Sequence, residues 1–429
     1  MKQLIKFHKT IRVRMLLTFF TVFTSAMVMP YTIIYFSDSI GPALTTTMII
    51  VIGVISMVGY FVGGRATDYF GRKSIIILSE VVTGIGFIVI SYFDYIPIFY
   101  AVPILIAFSI VYFFQSAANP AYSALIIDSS EESERRTIYT YFIWFQSVAF
   151  ALGSVVGGFY FENYSALLYF VMGATSFVST IFTYFFIKER KLSHTKLNDI
   201  GQKDNNKENE TINVKAQRFG IAGIFIYRLF LFLCIGTFLL NILSEQIYNY
   251  LSIRIVENYR IEDFSITGHQ MMGYLHLEDT LIMTVAAGLI LKVTKSLTDK
   301  TSLIFGLTLN IIGYLFLSYF VHPISLLIGM LFIASGFLIY RPVEQTIIAN
   351  SIPEHARGKY LSILGLMSAF GGMISGLFIW GSEYISEIGI SIIFLGMGIA
   401  IIFNYLKAFK YVDAESKEKV DKSEYVQAE

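Results

Sequence analysis

Charge is scarce in this chain. Asp, Glu, Lys and Arg make up 15% of its 429 residues, against about a quarter in ordinary soluble domains. With 55% hydrophobic residues and a mean hydropathy of +0.63, that scarcity excludes a soluble globular protein and leaves a polytopic membrane protein. The formal net charge is only +1, so no nucleic-acid partner is expected. Cysteine occurs once, as Cys234, which rules out an intramolecular disulfide; lying in an apolar run, it reads as a packing residue. Six histidines and that one cysteine make no metal cluster, and neither a metal nor another cofactor is expected. A G-x-x-x-x-G-K-[ST] phosphate loop is missing, which disfavours an ATP-driven pump. No Ser-His pair falls on matching helices to suggest an intramembrane enzyme.

What the chain does have is long apolar runs. A helix rising 1.5 Å per residue needs about 20 such residues to cross a bilayer core. Twelve segments qualify, at 15–36, 43–63, 74–93, 98–127, 137–161, 165–187, 219–252, 271–294, 301–320, 323–349, 360–381 and 388–411. The first follows Lys2, Lys6, Lys9, Arg12 and Arg14 as a signal peptide would, but it is long enough to stay as a span. With both termini cytoplasmic, 28 of the 32 Lys and Arg fall on the cytoplasmic side; only Arg254 and Arg260 fall outside, and Arg228 and Arg341 lie within spans. The expectation is a multi-pass cell-membrane protein, monomeric in its bilayer.

Between about 188 and 218 the chain is rich in Lys, Asn, Asp and Glu and cannot bury a core, so it reads as a flexible cytoplasmic linker. It divides the chain into a tail at 1–14, a six-helix bundle at 15–187, a second bundle at 219–411 and a tail at 412–429. An internal repeat supports the division. Pro120, Asp128 and Arg135 recur as Pro342, Asn350 and Arg357 at a constant offset of 222 residues, the mark of a duplicated unit.

The most informative stretch is GRATDYFGRK, Gly64 to Lys73, a charged decapeptide between two apolar runs and hence a tight loop at the membrane surface. Gly64 and Gly71 let the backbone pack or turn closely, Asp68 offers a carboxylate near a helix end, and Arg72 and Lys73 sit at headgroup level. An ordinary basic turn needs no Gly-x-x-x-Asp-x-x-Gly spacing. The stretch resembles the G-x-L-x-D-R-x-G-R-K loop of the major facilitator superfamily, with Ala66 for Leu and Tyr69 for Arg. A second copy has decayed to Gly288, Lys292 and Lys295. The resemblance implies an all-α membrane protein of twelve transmembrane helices in two pseudo-symmetric six-helix bundles that rock around a central site. It also implies gating roles for Asp68 and Arg72, with Arg72 reaching the cap around Asp128 and Arg135.

Within that superfamily the chain is most similar to LmrP-type multidrug/proton antiporters. ALIIDSSEESERR ends the fourth span, YRPVEQT lies in the tenth, and Gly153-Ser154-Val155-Val156-Gly157-Gly158 in the fifth resembles the antiporter element G-P-x-x-G-G. Small residues at that spacing let any membrane helices approach closely. The acids of that group's fifth and tenth spans fall on Phe142 and Phe337 here, so its coupling residues do not carry across.

Candidates come instead from ionisable residues inside spans, where an unpaired, dry charge is costly. Asn241, Ser244, Glu245, Tyr248, Asn249 and Ser252 form one polar stripe in the seventh span, and Glu245, its only acid, is the first choice for a proton or cation site. Arg341 and Glu344 lie one turn apart in the tenth span, either as an ion pair that offsets burial or as a switch. His276 and Asp279 share a face of the eighth span; Glu278 points elsewhere, near its outer end. Gln115 and Asn119 give the fourth span neutral polarity. Glu80 and Arg228, near the cytoplasm, read as locally paired or snorkelling. Tyr31, Tyr35, Tyr141 and Trp144 would suit a site for flat lipophilic cations or form interfacial belts.

These readings converge on a secondary active transporter, with proton-coupled efflux of lipophilic cationic compounds by alternating access as the first expectation. A dedicated transporter of one metabolite, peptide or lipid, and a non-transporting membrane receptor, are the alternatives.

Overall fold

Every regular element in the computed structural model, which describes residues 7–96, 101–130, 132–187, 228–259, 266–286, 297–351 and 357–427, is helical. The first half holds α1 (Lys9–Ala26), α2 (Met29–Ile40), α3 (Pro42–Phe70), α4 (Arg72–Tyr95), α5 (Ala101–Asp128) and α6 (Glu132–Phe186). The second holds α7 (Arg228–Ser244), α8 (Tyr250–Asn258), α9 (Gly268–Leu281), α10 (Asp299–Tyr319), α11 (Pro323–Ser351), α12 (Arg357–Ser375), α13 (Leu377–Gly381) and α14 (Glu387–Gln427).

Ten stretches are long and apolar enough to cross a membrane. One, Thr137–Phe186, is broken at Tyr164 (φ −138°, ψ 31°) and makes two crossings; α9, with the π-helical turn Ile282–Ala286 behind it, begins the remaining one. The chain is thus an all-α membrane protein of twelve spans in two six-helix halves. The proposed linker, together with Arg260, Gly288, Lys292 and Lys295, lies outside the described residues.

Three boundaries differ from the hydropathy reading. The helix of the first span begins at Lys9 and takes Arg14 inside, where it is 8% exposed. The helix of the seventh span runs past 252, and Arg254 is 2% exposed within it rather than in an outer loop. The last helix continues to Gln427, through most of the stretch read as a tail. Arg14 and Arg254 pair within the fold, which an average over a window does not register.

The decapeptide also differs from expectation. It is not a loop of ten residues: α3 runs to Phe70, α4 starts at Arg72, and Gly71 at φ +88° makes the whole turn. Gly64 sits inside α3 with open space where a side chain would go, so it serves no close packing. The close approach belongs to its neighbour Gly63, whose missing Cβ admits the carbonyl of Ala117 on α5.

Up-and-down threading puts Lys9, Gly71, Asp128 and Phe186 at the end of the bundle near the termini, and Gly41, Glu162 and His269 at the far end. The halves meet mainly toward that far end, through α6 on α9, α3 on α12 and α13, and α2 on α8. Small residues make the first of these contacts possible. A Cβ on Gly158 would lie 2.8 Å from the His269 carbonyl, and one on Gly157 would strike the Met27 carbonyl and the Tyr31 ring. Gly157→Val is therefore expected to cost about 1–3 kcal/mol or more, because backbone cannot step aside, whereas Gly64→Ala stays within about 0.5 kcal/mol. Melting temperatures of the two detergent-solubilised variants check the contrast.

Candidate functional site

A cavity of about 400 Å³ opens where the halves face each other, lined from α2, α3 and α5 on one side and from α7, α12 and the turn after α7 on the other. That turn shapes the site. α7 stops at Ser244, Glu245–Ile247 form a 3₁₀ segment, and Asn249 takes a non-helical conformation (φ −109°, ψ −107°) before α8 starts. The break bends the polar stripe expected along one continuous helix. Asn241 accepts from Ser368 Oγ at 2.7 Å, and Asn249 Nδ2 donates to Ser375 Oγ at 2.6 Å, so both tie α7 and α8 to α12. Gln246, fully buried, adds a bond to the Ser375 carbonyl at 3.3 Å.

Between these anchors the Glu245 side chain stands half-buried on the cavity wall. Among the described residues no side chain bonds or pairs with its carboxylate. Gly372 faces it from α12, where a Cβ would lie 3.7 Å from Glu245 Cγ. The rest of the wall is soft and aromatic: Met29, Met48, Met373, Phe108, Tyr112 and Tyr248. Such surface moulds to flat apolar groups, and the lone carboxylate supplies one negative charge at the seam.

The eighth-span residues sit just behind. The buried His276 ring stacks on Tyr248 (5.4 Å, 9°) and meets Phe150 edge-on at 5.4 Å, while its Nε2 has no partner. Asp279 is half-buried one turn on. Glu278 is not at an outer end: α9 starts at the capping box on Thr267, so Glu278 and Asp279 lie about three turns into the bundle. Tyr314 bridges back to the Ser244 carbonyl at 3.3 Å.

Arg341 and Glu344 lie apart from this cavity. Arg341 Nη1 donates to Glu344 Oε2 at 2.7 Å, the Tyr405 hydroxyl donates to Oε1 at 2.5 Å, and Glu344 is 1% exposed. Gln115 and Asn119 line neither of these places. They face a second cavity, about 650 Å³, formed wholly by the first half and containing Arg14 and Glu80.

At the termini end, Arg72 Nε pairs with Asp128 Oδ2 at 3.0 Å, and Lys73 Nζ donates to the Tyr184 carbonyl at 2.6 Å. The side chains of Asp68 and Arg135 lie outside the described residues. The aromatics named from sequence do not line the cavity between the halves. Tyr31 is fully buried and donates to the Ser154 carbonyl, Tyr141 packs on Phe7, and Trp144 is exposed on the outer surface. Phe108, Tyr112 and Tyr248 line that cavity instead.

A family model described as Major Facilitator Superfamily matches residues 14–375 and 255–427. One relative is a Na+, Li+, K+/H+ antiporter of Planococcus maritimus, 24% identical over 390 residues, which are 86% of this chain and 88% of that protein. Among solved structures, a peptide transporter POT in complex with sulfate superposes with a TM-score of 0.69 at 13% identity, covering 95% of this chain and 94% of that one. A D-xylose-proton symporter gives a TM-score of 0.71 at 12% identity over 94% and 98% of the two chains. These likenesses concern the fold.

Proposed function

The chain belongs to the major facilitator superfamily of transporters, and on that premise we propose that it is a proton-coupled antiporter that exports lipophilic cations from the cell by alternating access. The reading rests on one observation, the unpaired Glu245 carboxylate on a Met- and aromatic-lined cavity between the halves. A lone acid at membrane depth is costly to keep ionised, so it takes a proton or a cation in turn, and those two occupancies exclude each other. Cargo enters from the termini side, taken as cytoplasmic from the Lys and Arg distribution. It lodges against Glu245 and leaves when the far-side contacts open and a proton replaces it. Asn241 and Asn249 hold the wall, and Asp279 and His276 lie behind it. The Arg72–Asp128 pair fastens the first half at its cytoplasmic end. The location is the cell membrane.

A second reading, exchange of alkali cations for protons, is favoured by the relative from Planococcus maritimus. The cavity supports the organic cation: about 400 Å³ is many times the volume of a bare ion, and most of its lining is apolar.

Proteoliposomes with an acidic interior separate these readings. Ethidium uptake driven by the gradient is expected in the intact protein and falls at least about tenfold in Glu245→Gln, which keeps the shape and removes the charge. Sodium or lithium uptake with no ethidium uptake selects the alkali-cation reading. Undiminished ethidium uptake in Glu245→Gln removes Glu245 from the mechanism.

A further inference from the structure

The cavity of about 650 Å³ in the first half is built around an acid that the transport cycle above does not use. Glu80, on α4, is 5% exposed in a stretch that is otherwise apolar. Its Oε1 accepts from three donors: Arg14 Nη1 on α1 at 2.9 Å, Ser179 Oγ on α6 at 2.7 Å and the Tyr122 hydroxyl on α5 at 3.3 Å. Its Oε2, equally buried, accepts from none. One turn on, the Thr83 hydroxyl borders the same cavity and is also without a partner. The Arg14 guanidinium lies over the Tyr122 ring at 3.9 Å while it bonds Oε1.

With Oε1 taken up by three donors, Oε2 is the oxygen left to accept a proton. A proton on Oε2 makes a donor of an oxygen that accepts no bond. The wall carries polar side chains, Gln115, Asn119 and Gln146 among them, to which water can bond. The charged and titratable groups facing Glu80 are Arg14 from α1 and Tyr122 from α5; Tyr60 of α3 lines the same cavity, and α6 contributes only the hydroxyls of Ser176 and Ser179.

We propose that Glu80 is a proton-exchange site of the transport cycle, housed in the first half and distinct from the cargo carboxylate Glu245. The proposal rests on the antiport reading above. With Glu80 ionised, the Arg14–Glu80 pair is neutral. When a proton from water binds Oε2, Arg14 is left as a net positive charge facing the cleft, and when it leaves for water the pair is neutral again.

The cargo cavity is close enough to feel the change. Ser25 and Met29 on the first span, Ser56 and Tyr60 on α3, and Tyr112 and Gln115 on α5 line the two cavities about one turn apart. Phe150 belongs to the wall of the larger cavity and packs on Tyr248 of the smaller. Proton at Glu80 and cation at Glu245 therefore disfavour each other, and by reciprocity each lowers the other's affinity. That mutual exclusion is what exchange requires. The repeat points to the same layer in the other half: its 222-residue offset lays Tyr122 on Glu344, so each half carries a buried acid, arginine and tyrosine cluster at this level.

The test is the full chain in proteoliposomes, with tetraphenylphosphonium as probe and an internal pH dye. In Glu80→Gln, probe binding and gradient-free exchange are expected to stay within about twofold of the intact protein, while gradient-driven uptake and the accompanying proton efflux fall at least about tenfold. Coupled uptake at the intact level overturns the proposal. So does loss of binding and exchange together with coupling, which marks a structural role.

Should Glu80→Gln fail to reach the membrane, Arg14→Lys replaces it: the cation stays but the guanidinium geometry goes, and the pH midpoint of uptake is expected to move by about half a unit or more. An unmoved midpoint overturns the proposal. An intact protein that carries the probe without moving protons overturns this site and the antiport reading together. Normal coupling in Glu80→Gln beside a defective Glu245→Gln overturns this site alone.

Discussion

Arg254→Ala is expected to lower the melting temperature of the solubilised protein sharply, at a cost of about 3–5 kcal/mol. Arg254 is 2% exposed and holds the far end of α10, where carbonyls have run out of helical donors. Its Nη1 donates to the carbonyls of Leu317 and Phe320 at 3.0 Å each, and its Nη2 to that of Tyr319 at 2.8 Å and to Glu387 Oε2 at 3.0 Å. One planar fork therefore joins α8, α10 and the start of α14. Alanine leaves those carbonyls facing protein without a donor. Lysine keeps the charge but has no fork, and is expected to recover less than half of the loss. Glu387→Gln, by contrast, alters a carboxylate that is 48% exposed and is expected to cost less than about 1 kcal/mol. Thermal unfolding of the three variants side by side measures the ordering; equal costs for Arg254→Ala and Glu387→Gln would show that the ion pair, and not the capping, carries the stability.

Arg254 also shows where reading a sequence by average hydropathy stops. Spans were legible because lipid demands long apolar helices, and no local detail can hide twenty such residues. Charges at span ends were not: Arg14 and Arg254 look from sequence like the basic flanks of loops, and only tertiary pairing draws them inside. Glu245 could be singled out because its polar neighbours recur along its own stretch, although the 3₁₀ break that turns it toward the cavity leaves no mark in the spacing. Glu80 offered a weaker signal, one acid in IIILSEVVTG, and its partner Arg14 is 66 residues away on a helix thought to start after it. The glycines divide in the same way. Gly71 was readable as a turn, whereas whether Gly63 or Gly64 meets another helix depends on a rotation about α3 that composition does not encode. Aromatic content suggested a cargo site without saying which rings face it, because most rings in such a bundle face lipid or core.

Joining the far ends of α3 and α13 covalently is expected to stop transport. The Thr46 hydroxyl donates to the Gly376 carbonyl at 2.9 Å across the seam, between residues 330 apart in the chain. One turn along α3, Ile49 packs where a Gly376 Cβ would come, 3.1 Å from its Cγ2, so a small side chain there fits after a slight shift. Cysteines at Thr46 and Gly376 thus stand across the seam from each other, and loss of free thiol on oxidation reports whether they join. Cys234, 2% exposed inside α7, is too buried to compete for the bond. If the far side must part for cargo to leave, oxidation of Thr46→Cys/Gly376→Cys is expected to bring gradient-driven ethidium uptake down to that of protein-free vesicles, and reductant to restore it. Either single cysteine, oxidised in the same way, is expected to transport as before. Probe binding is expected to survive the bridge, because neither bridged residue lines the Glu245 cavity. Full transport by the bridged protein would mean that α3 and α13 stay together through the cycle, and that cargo leaves by a route other than the seam.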